Sequence, residues 1–287
     1  MAAARPGDPF AHSRFCFALI MKAVVLARGR GTRMQRATPG ATGDPAQARI
    51  ADSGVKAMIP FRRPFLDYVL SALADAGAND VCLVIAPGPS IIRDYYDAHP
   101  TARVRVAYAV QQEPLGTADA ILAARTFAGT HGFLVLNSDN YYPVAVLRAL
   151  AELDGPGLPA FQRSALIAES NIGPERMRSY AMLTVDADGD LVDIVEKPDA
   201  ATFVRFGDDV SVSMNCWRFD ASIFEACERI QQSVRGELEL PNAVRYAVRT
   251  MGVRFRTIPF ATGVLDLSSR EDIADVERRL AHVDPRP

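Results

Sequence analysis

Short runs of apolar residues alternate along the chain with segments whose apolar positions recur every three or four residues. The apolar runs predict buried strands at residues 22–27, 80–86, 103–110 and 133–137. The intervening segments predict helices at residues 64–77, 90–98 and 117–126, whereas residues 28–60 are polar and predict a long loop. This alternation predicts an α/β fold with a Rossmann-like, mostly parallel sheet and helices on both faces.

The second half of the chain has a less regular pattern. It predicts a helix ending near residue 153, then short strands near 164–168, 180–186, 191–195 and 210–218. Helices near 220–230 and 239–250, a strand at 254–259 and a helix at 269–281 follow. Residues 1–20 lack the long apolar segment of a signal peptide and predict a disordered N-terminal extension. We therefore expect a single domain over residues 21–287 with an elaborated C-terminal half.

The overall composition excludes several classes of protein. The 32 basic and 34 acidic residues give a formal charge of −2, whereas proteins that coat nucleic acid or anionic membranes usually carry a basic excess. No apolar run reaches the ~18 residues of a membrane-spanning helix. The four cysteines form no CxxC pair and the four histidines are scattered, so we expect a cytoplasmic protein without disulfides or a histidine metal site.

The positive charges are unevenly distributed. Residues 28–63 contain eight cations and two anions, and this local charge of +6 suits a polyphosphate ligand, although a solvated basic loop is the alternative. Only three of the 32 cations are lysines, namely Lys22, Lys56 and Lys197. A compact ammonium can insert between phosphate oxygens where a planar guanidinium cannot, which makes Lys56 in the basic segment a candidate phosphate ligand.

The first candidate site segment follows the first predicted strand. Ligands of open parallel sheets bind at the carboxyl ends of strands, and Gly29 and Gly31 stand there. Both glycines allow a ligand close to the backbone, whose N–H groups can cradle an anion. A Rossmann motif would have a third glycine in place of Met34, and the chain contains no Gly-Lys-Ser/Thr of a P-loop.

Two further segments follow the third and fourth strands. Gln111 can read a base edge through its amide, and Gly116 permits the flat approach of a ring, but a turn with Thr117 as helix N-cap is the alternative. Asp139 follows a very apolar strand, where a carboxylate can hold Mg²⁺ between phosphates. The alternative is that Asp139 or Asn140 caps the next helix.

Together these segments resemble the sugar-phosphate nucleotidyltransferase family, which includes glucose-1-phosphate uridylyl-, thymidylyl- and adenylyltransferases and mannose-1-phosphate guanylyltransferases. Residues 26–34 match the family loop L-A-(A/G)-G-x-G-T-R-(M/L) except at Arg28, where a small residue is usual. The other matches are residues 55–60 for P-K-x-M-L-P, 111–118 for Q-x4-G-T-A, 138–140 for G-D-(N/D), 196–198 for E-K-P and 263–266 for W-x-D. The resemblance covers about residues 22–280.

The resemblance implies the nucleotide-diphospho-sugar transferase fold and a Mg²⁺-dependent nucleotidyltransferase, which joins an NTP and a sugar 1-phosphate to give an NDP-sugar and pyrophosphate. It implies a nucleotide-binding half at about 21–150 and a sugar-phosphate half at about 151–287. By resemblance, the nucleotide contacts Ala27, Gly29, Gly31, Thr32, Arg33, Lys56, Gln111, Gly116 and Thr117. The sugar phosphate contacts Tyr180, Glu196, Lys197 and Asn215, while Asp139 and Asp266 hold Mg²⁺. The residues implied to be catalytic are Arg33, Lys56, Asp139 and Lys197.

Several alternatives stay open at the level of the sequence. UTP is favoured as the nucleotide, with guanine and thymine open. Tyr180-Ala181 replaces the usual Tyr-Gly, and residues 213–217 replace the usual N-x-G-x-Y, so the sugar is open as well. A catalytically silent nucleotide-sugar sensor or partner subunit of the same fold is the main alternative, and a Rossmann oxidoreductase is a more distant one. The resemblance also implies a homo-oligomer, because relatives commonly self-associate.

Overall fold

A mixed sheet runs through the computed structural model, which describes residues 21–36, 44–207 and 209–287; the predicted extension at 1–20 lies outside these residues. The strands are β1 Lys22–Leu26, β2 Asp80–Ile85, β3 Arg105–Val110, β4 Phe133–Asn137, β5 Asn140–Tyr141, β6 Gly157–Gln162, β7 Ala181–Val185, β8 Leu191–Val195, β9 Ser211–Ser213, β10 Cys216–Phe219, β11 Arg256–Phe260 and β12 Leu265–Asp266.

Helices connect and cover these strands. They are α1 Thr32–Gln35, α2 Pro45–Ser53, α3 Phe65–Asp75, α4 Ile91–Ala98, α5 Thr117–Ala123, α6 Arg125–Ala128, α7 Val144–Ala151, α8 Arg163–Glu169, α9 Ala200–Phe206, α10 Ser222–Arg229, α11 Leu240–Arg249 and α12 Asp272–Leu280. Lys56–Met58 and Pro174–Ser179 form 3₁₀ turns. Within the described residues, no helix is long and apolar enough to cross a membrane.

The strand order of the large sheet is β3-β2-β1-β4-β10-β6-β9-β7-β8, and β11 pairs with β6. Strands β1 to β4 are parallel to one another, whereas β10 runs antiparallel to β4. Strands β5 and β12 form a separate antiparallel pair. The chain moves outward from β1 through β2 to β3 and returns to β4 on the other side of β1. Loops that leave β1 and β4 therefore diverge, and a crevice opens at their carboxyl ends.

Both faces of the sheet are buried, because successive side chains of each parallel strand point to opposite faces. In β1, Val24 belongs to one apolar cluster and Val25 to the other. Helix α3 packs in the Val25 cluster, where Leu66 and Leu70 are fully buried. Helices α5, α10 and α11 contribute to the Val24 cluster. The predicted α/β fold class is confirmed, and the sheet continues without interruption into the elaborated half.

Two predictions of local structure were wrong. The predicted loop at 28–60 contains α2, which Asp44 caps by accepting a hydrogen bond from the Ala46 N–H at 2.7 Å, and Pro45 occupies the first turn. The predicted strand near 164–168 is helix α8, and the strand of this region is β6, just before it. Helix α2 was missed because its segment is mostly polar and its helix signals are the Asp44 cap and Pro45. Helix α8 was missed because periodicity alone cannot assign a short apolar run to helix or strand.

Candidate active site

A cavity of about 650 Å³ lies at the carboxyl ends of β1, β3 and β4. Ten of the predicted site residues line it: Ala27, Gly29, Gly31, Thr32, Arg33, Lys56, Gln111, Gly116, Thr117 and Asp139. Segments far apart in the sequence are brought together here because parallel strands end at the same edge of the sheet. Tyr180, Glu196, Lys197, Asn215 and Asp266 were also predicted as site residues, but they do not line this cavity.

The loop after β1 contains two glycines, Gly29 and Gly31, whose surroundings differ. Gly31 has φ +59°, and a Cβ there would lie 2.0 Å from the carbonyl oxygen of Gly54, which ends α2. Gly31 is therefore required by backbone packing. A Cβ on Gly29 would meet no described atom within 4 Å, so this position faces open space at the cavity wall. The exposed side chain of Arg33 belongs to the same wall.

Lys56 and Asp139 form an ion pair in the cavity wall, in which the Lys56 ammonium donates to Asp139 Oδ2. Their side chains are 18% and 19% exposed, so both groups stay accessible to a ligand. Helix α7 begins after Pro143 without a side-chain cap. The alternative that Asp139 or Asn140 caps this helix is therefore wrong.

Asp266 lies beside Asp139 through the β5–β12 pair, in which Asp266 is opposite Asn140. Its buried carboxylate accepts hydrogen bonds from Arg176 Nη2 at 2.6 Å and from the Tyr180 hydroxyl, both at Oδ2. Burial raises the pKa of Asp266, and the nearby charge of Asp139 raises it further. The two carboxylates are thus close enough to repel each other.

This pair of carboxylates fits a hard divalent cation that is shared with a substrate. No group of three or more His, Cys, Asp and Glu side chains in the described part of the chain could hold a metal ion by itself. Mg²⁺ is commonly bound through one or two carboxylates together with substrate phosphates, so Asp139 and Asp266 suit it. Asp139 reaches the cavity directly, whereas Oδ1 of Asp266 accepts from Ser268 Oγ at 2.8 Å.

Hydrogen bonds from the Gln111 side chain connect the loop after β3 to the start of α5. Gln111 is buried, and its Nε2 donates to the Gly116 carbonyl oxygen at 2.9 Å and to Asp119 Oδ2 at 2.8 Å. Both amide hydrogens of Gln111 are therefore used within the protein, so in this arrangement its amide offers no hydrogen-bond donor to a base edge. The side-chain oxygen Oε1 accepts no hydrogen bond from the described residues and is left for a ligand.

Gly116 and Thr117 have packing roles that the sequence did not indicate. A Cβ on Gly116, which has φ +125°, would lie 2.5 Å from the Leu238 carbonyl oxygen. Thr117 Oγ1 accepts a hydrogen bond from the Leu240 N–H at 2.8 Å, and the start of α5 has no side-chain cap. The alternative with Thr117 as N-cap is therefore wrong, and both residues anchor the segment that precedes α11.

Of the remaining sugar-phosphate candidates, Glu196 and Lys197 lie beside the cavity. Glu196 pairs with Lys197 at 3.5 Å and with Arg235 at 3.8 Å, and Arg235 lines the cavity. Lys197 (φ 44°) and Asn215 (φ 55°) are the non-glycine residues with positive φ in the described ranges. Such backbone strain often occurs at functional positions. Burial raises the pKa of Glu196, and the two cations beside it oppose that shift.

Sequence reasoning missed part of the cavity wall. Arg235, Gly236, Glu237 and Ser268 line the cavity, and Arg176 holds Asp266 from the next layer. No local motif of the sequence indicated these positions. The basic segment was also interpreted too broadly, because only Arg28, Arg30, Arg33 and Lys56 of its eight cations line the cavity. Arg63, for example, pairs with the buried Asp67.

Comparison with known proteins identifies the family of the chain. The nucleotidyl transferase family matches residues 22–280. The glucose-1-phosphate thymidylyltransferase of Streptomyces antibioticus is 26% identical over 268 residues, which cover 93% of this chain and 68% of that protein. The UTP–glucose-1-phosphate uridylyltransferase AglF of Haloferax volcanii is 26% identical over 260 residues, 91% of this chain and 96% of AglF. The low-salt glycan biosynthesis nucleotidyltransferase Agl11 of the same organism is 25% identical over 78% of this chain, which spans 56% of Agl11.

Solved structures share the fold. A UTP-bound UGPase from Acinetobacter baumannii superposes with a TM-score of 0.69 at 19% identity, covering 93% of this chain and 96% of that one. A UDP-glucose pyrophosphorylase complexed with UDP-glucose gives 0.68 at 18% identity, covering 92% and 99%. Since the family match extends over nearly all the described residues, the chain belongs to the nucleotidyl transferase family of enzymes, and its relatives place it among the sugar-phosphate nucleotidyltransferases.

Proposed function

We propose that the protein transfers a nucleotidyl group from an NTP to a sugar 1-phosphate, giving an NDP-sugar and pyrophosphate. The Lys56–Asp139 pair carries this proposal, because it sets a cation and a carboxylate side by side in a cavity that also contains Arg33. The sugar-phosphate candidates Glu196 and Lys197 connect to the same cavity through Arg235. Both substrates can therefore be held at one place.

The reaction needs no nucleophile from the protein. A phosphate oxygen of the sugar 1-phosphate attacks the α-phosphorus of the NTP, and the bond between the α-phosphorus and the bridging oxygen of the leaving pyrophosphate breaks. Catalysis then consists of alignment and neutralisation of charge. The backbone of the β1 loop and Arg33 hold the terminal phosphates, Lys56 neutralises the charge that develops on pyrophosphate, and Lys197 offsets repulsion between the two anionic substrates.

Asp139 and Asp266 would hold Mg²⁺, which supplies further neutralisation of the phosphate charge when bound. Tyr180 donates to Asp266, so this proposed sugar contact is also in direct contact with a proposed metal ligand. Arg176 and Ser268 hold the same carboxylate in place. These donors orient Asp266 beside Asp139 and offset the cost of burying its charge.

We favour UTP as the nucleotide, with dTTP next. Because both hydrogens on Gln111 Nε2 are used within the protein, the side chain offers a base only the acceptor Oε1. Uracil and thymine carry an imide N–H on the pairing edge that suits one acceptor, and guanine has a comparable N–H. Two relatives are named as a uridylyltransferase and a thymidylyltransferase, which agrees with this preference.

A matrix of pyrophosphate release tests the proposal. The four NTPs and dTTP are each combined with a panel of sugar 1-phosphates and Mg²⁺. We expect release with at least one pair, highest with UTP, and release about 10²- to 10³-fold slower from Asp139→Asn. Absence of pyrophosphate from every pair contradicts the proposal, and tight binding of an NDP-sugar without turnover favours the silent sensor instead. A homo-oligomer and a cytoplasmic location stay predictions; light scattering tests the first and cell fractionation the second.

A further inference from the structure

Arg28 stands where the family loop has a small residue, and its side chain makes contacts that a small residue cannot make. Its Nε donates to the Gln111 carbonyl oxygen at 2.9 Å, and its Nη2 donates to the Gln112 carbonyl oxygen at 3.1 Å. In the strand order β3-β2-β1, the side chain therefore reaches from the end of β1, past β2, to the end of β3. It links the loop after β1 to the loop after β3.

The residue that Arg28 holds is also the one that offers an acceptor to the base. The backbone of Gln111 is fixed by Arg28, and its side chain is fixed by Gly116 and Asp119. With both ends fixed, the position and plane of the Gln111 amide are determined before a ligand binds. Such preorganisation lowers the ordering cost of binding and improves affinity.

The two hydrogen bonds of Arg28 go to the β3 loop and not to the Lys56–Asp139 pair. Arg33, by contrast, is exposed and makes no side-chain hydrogen bond to the described residues. Although Arg28 lies in the basic segment, its contacts are those of a structural link at the base end of the cavity. Arg28 also lines the cavity, but because its Nε and Nη2 donate to the β3 loop we expect affinity for a ligand that has phosphates but no base to depend little on it.

We propose that Arg28 is a positioning residue for the nucleobase, which acts by fixing the Gln111 segment against the β1 loop. This inference rests on the proposed function, since it takes the cavity to bind an NTP. Losing the link leaves Gln111 with a more mobile backbone, which weakens recognition of the base. The chemical step with saturating NTP is unchanged, because Arg28 contacts neither member of the Lys56–Asp139 pair.

Calorimetry with UTP and with inorganic pyrophosphate separates this role from direct phosphate binding. We expect Arg28→Ala to weaken UTP by about tenfold, the scale of one or two hydrogen bonds, and to change pyrophosphate affinity by less than about twofold. In steady-state kinetics KM for UTP rises while kcat changes little. Arg28→Lys, which can restore one bond, recovers part of the affinity. Arg49→Ala removes the same charge from an exposed position of α2, outside the cavity, and serves as the matched control.

Hydrogen exchange of the ligand-free protein provides a second readout. We expect faster exchange of backbone amides 111–116 in Arg28→Ala than in wild type or Arg49→Ala. An equal loss of UTP and pyrophosphate affinity, or an unchanged UTP affinity, overturns the inference. If wild type binds no NTP and no pyrophosphate, the proposed function itself is wrong. In that case hydrogen exchange still tests the structural part of the inference. Unchanged exchange at 111–116 in Arg28→Ala shows that Arg28 does not hold this segment, whereas faster exchange shows that it does.

Discussion

The Lys56 ammonium donates a hydrogen bond to the Asp139 carboxylate, and so joins the loop before α3 to the end of β4. Each group neutralises the other while both remain about one-fifth exposed in a cavity wall. A polyphosphate and a divalent cation that bind together supply a new partner for each of them. The pair is therefore a charge-balanced resting arrangement for the proposed reaction.

Asp139→Asn should abolish most of the activity while the fold is kept. The amide has nearly the same shape, but it lacks the charge that would hold Mg²⁺, so we expect kcat to fall by about 10²- to 10³-fold. Pyrophosphate release measures the loss, and circular dichroism checks the fold. Turnover close to that of wild type contradicts the metal-binding role.

The three lysines allow a matched test of whether phosphate positions need an ammonium. We expect Lys56→Arg and Lys197→Arg each to lower turnover by about tenfold or more, because a planar guanidinium does not fit where an ammonium does. Lys22→Arg is the control, since the Lys22 ammonium donates to the Phe127 carbonyl oxygen at 2.6 Å, outside the cavity. If all three variants keep wild-type turnover, the interpretation of the lysines is wrong.

An added methyl group should lower the stability of the protein at Gly31, but should weaken only NTP binding at Gly29. Gly31→Ala places a Cβ against the Gly54 carbonyl at a strained φ, so the free energy of unfolding should fall by about 1–3 kcal/mol or more. Gly29→Ala meets open space and should leave thermal stability unchanged, but its methyl group enters the cavity and should weaken NTP binding. Thermal melts and calorimetry on both variants check this contrast, which a purely flexible loop would not show.

Glu196→Gln should change how stability depends on pH. Burial raises the folded-state pKa of Glu196 above its unfolded value, so ionisation is penalised in the folded protein. Below the pKa that Glu196 has in the unfolded protein, the side chain is protonated in both states and costs the folded protein nothing. As the pH rises through the raised pKa of the folded protein, Glu196 must ionise while buried, and the protein loses stability. Glutamine never ionises, so the difference in Tm between the variant and wild type should become more positive as the pH rises from the unfolded-state pKa of about 4 through the raised folded-state pKa. The exposed Glu113→Gln is the control, and an equal pH trend in both variants contradicts the burial effect.

The N-terminal half of the fold was predictable because its signals are local. Strands β1 to β4 are continuous apolar runs, and α3 begins and ends at proline and glycine signals. Ten cavity residues could be identified for the same reason, since they stand in short motifs directly after these strands. Because parallel strands have their carboxyl ends at one edge of the sheet, the fold class alone predicts that these motifs lie close together.

The parts that could not be predicted depend on contacts between distant residues. Arg235 reaches the cavity only because its segment packs on Gly116, and Arg176 meets Asp266 across 90 positions of sequence. Helix α8 has the apolar content of a strand, and only its packing beside β6 determines its conformation. A single sequence carries no local signal for such pairings.

Gly116 packs against the Leu238 backbone, so the first half of the chain is fitted to a segment of the second half. Residues 235–237 line the cavity, and the neighbouring Leu238 packs against Gly116, which lines the same cavity. The predicted division near residue 150 therefore crosses one cavity, which is lined by residues from both sides of that position. Under the proposed function, a chimaera that takes residues 151–287 from a relative would also acquire a different wall at the proposed nucleotide site, so we expect that selectivity for the two substrates cannot be recombined independently.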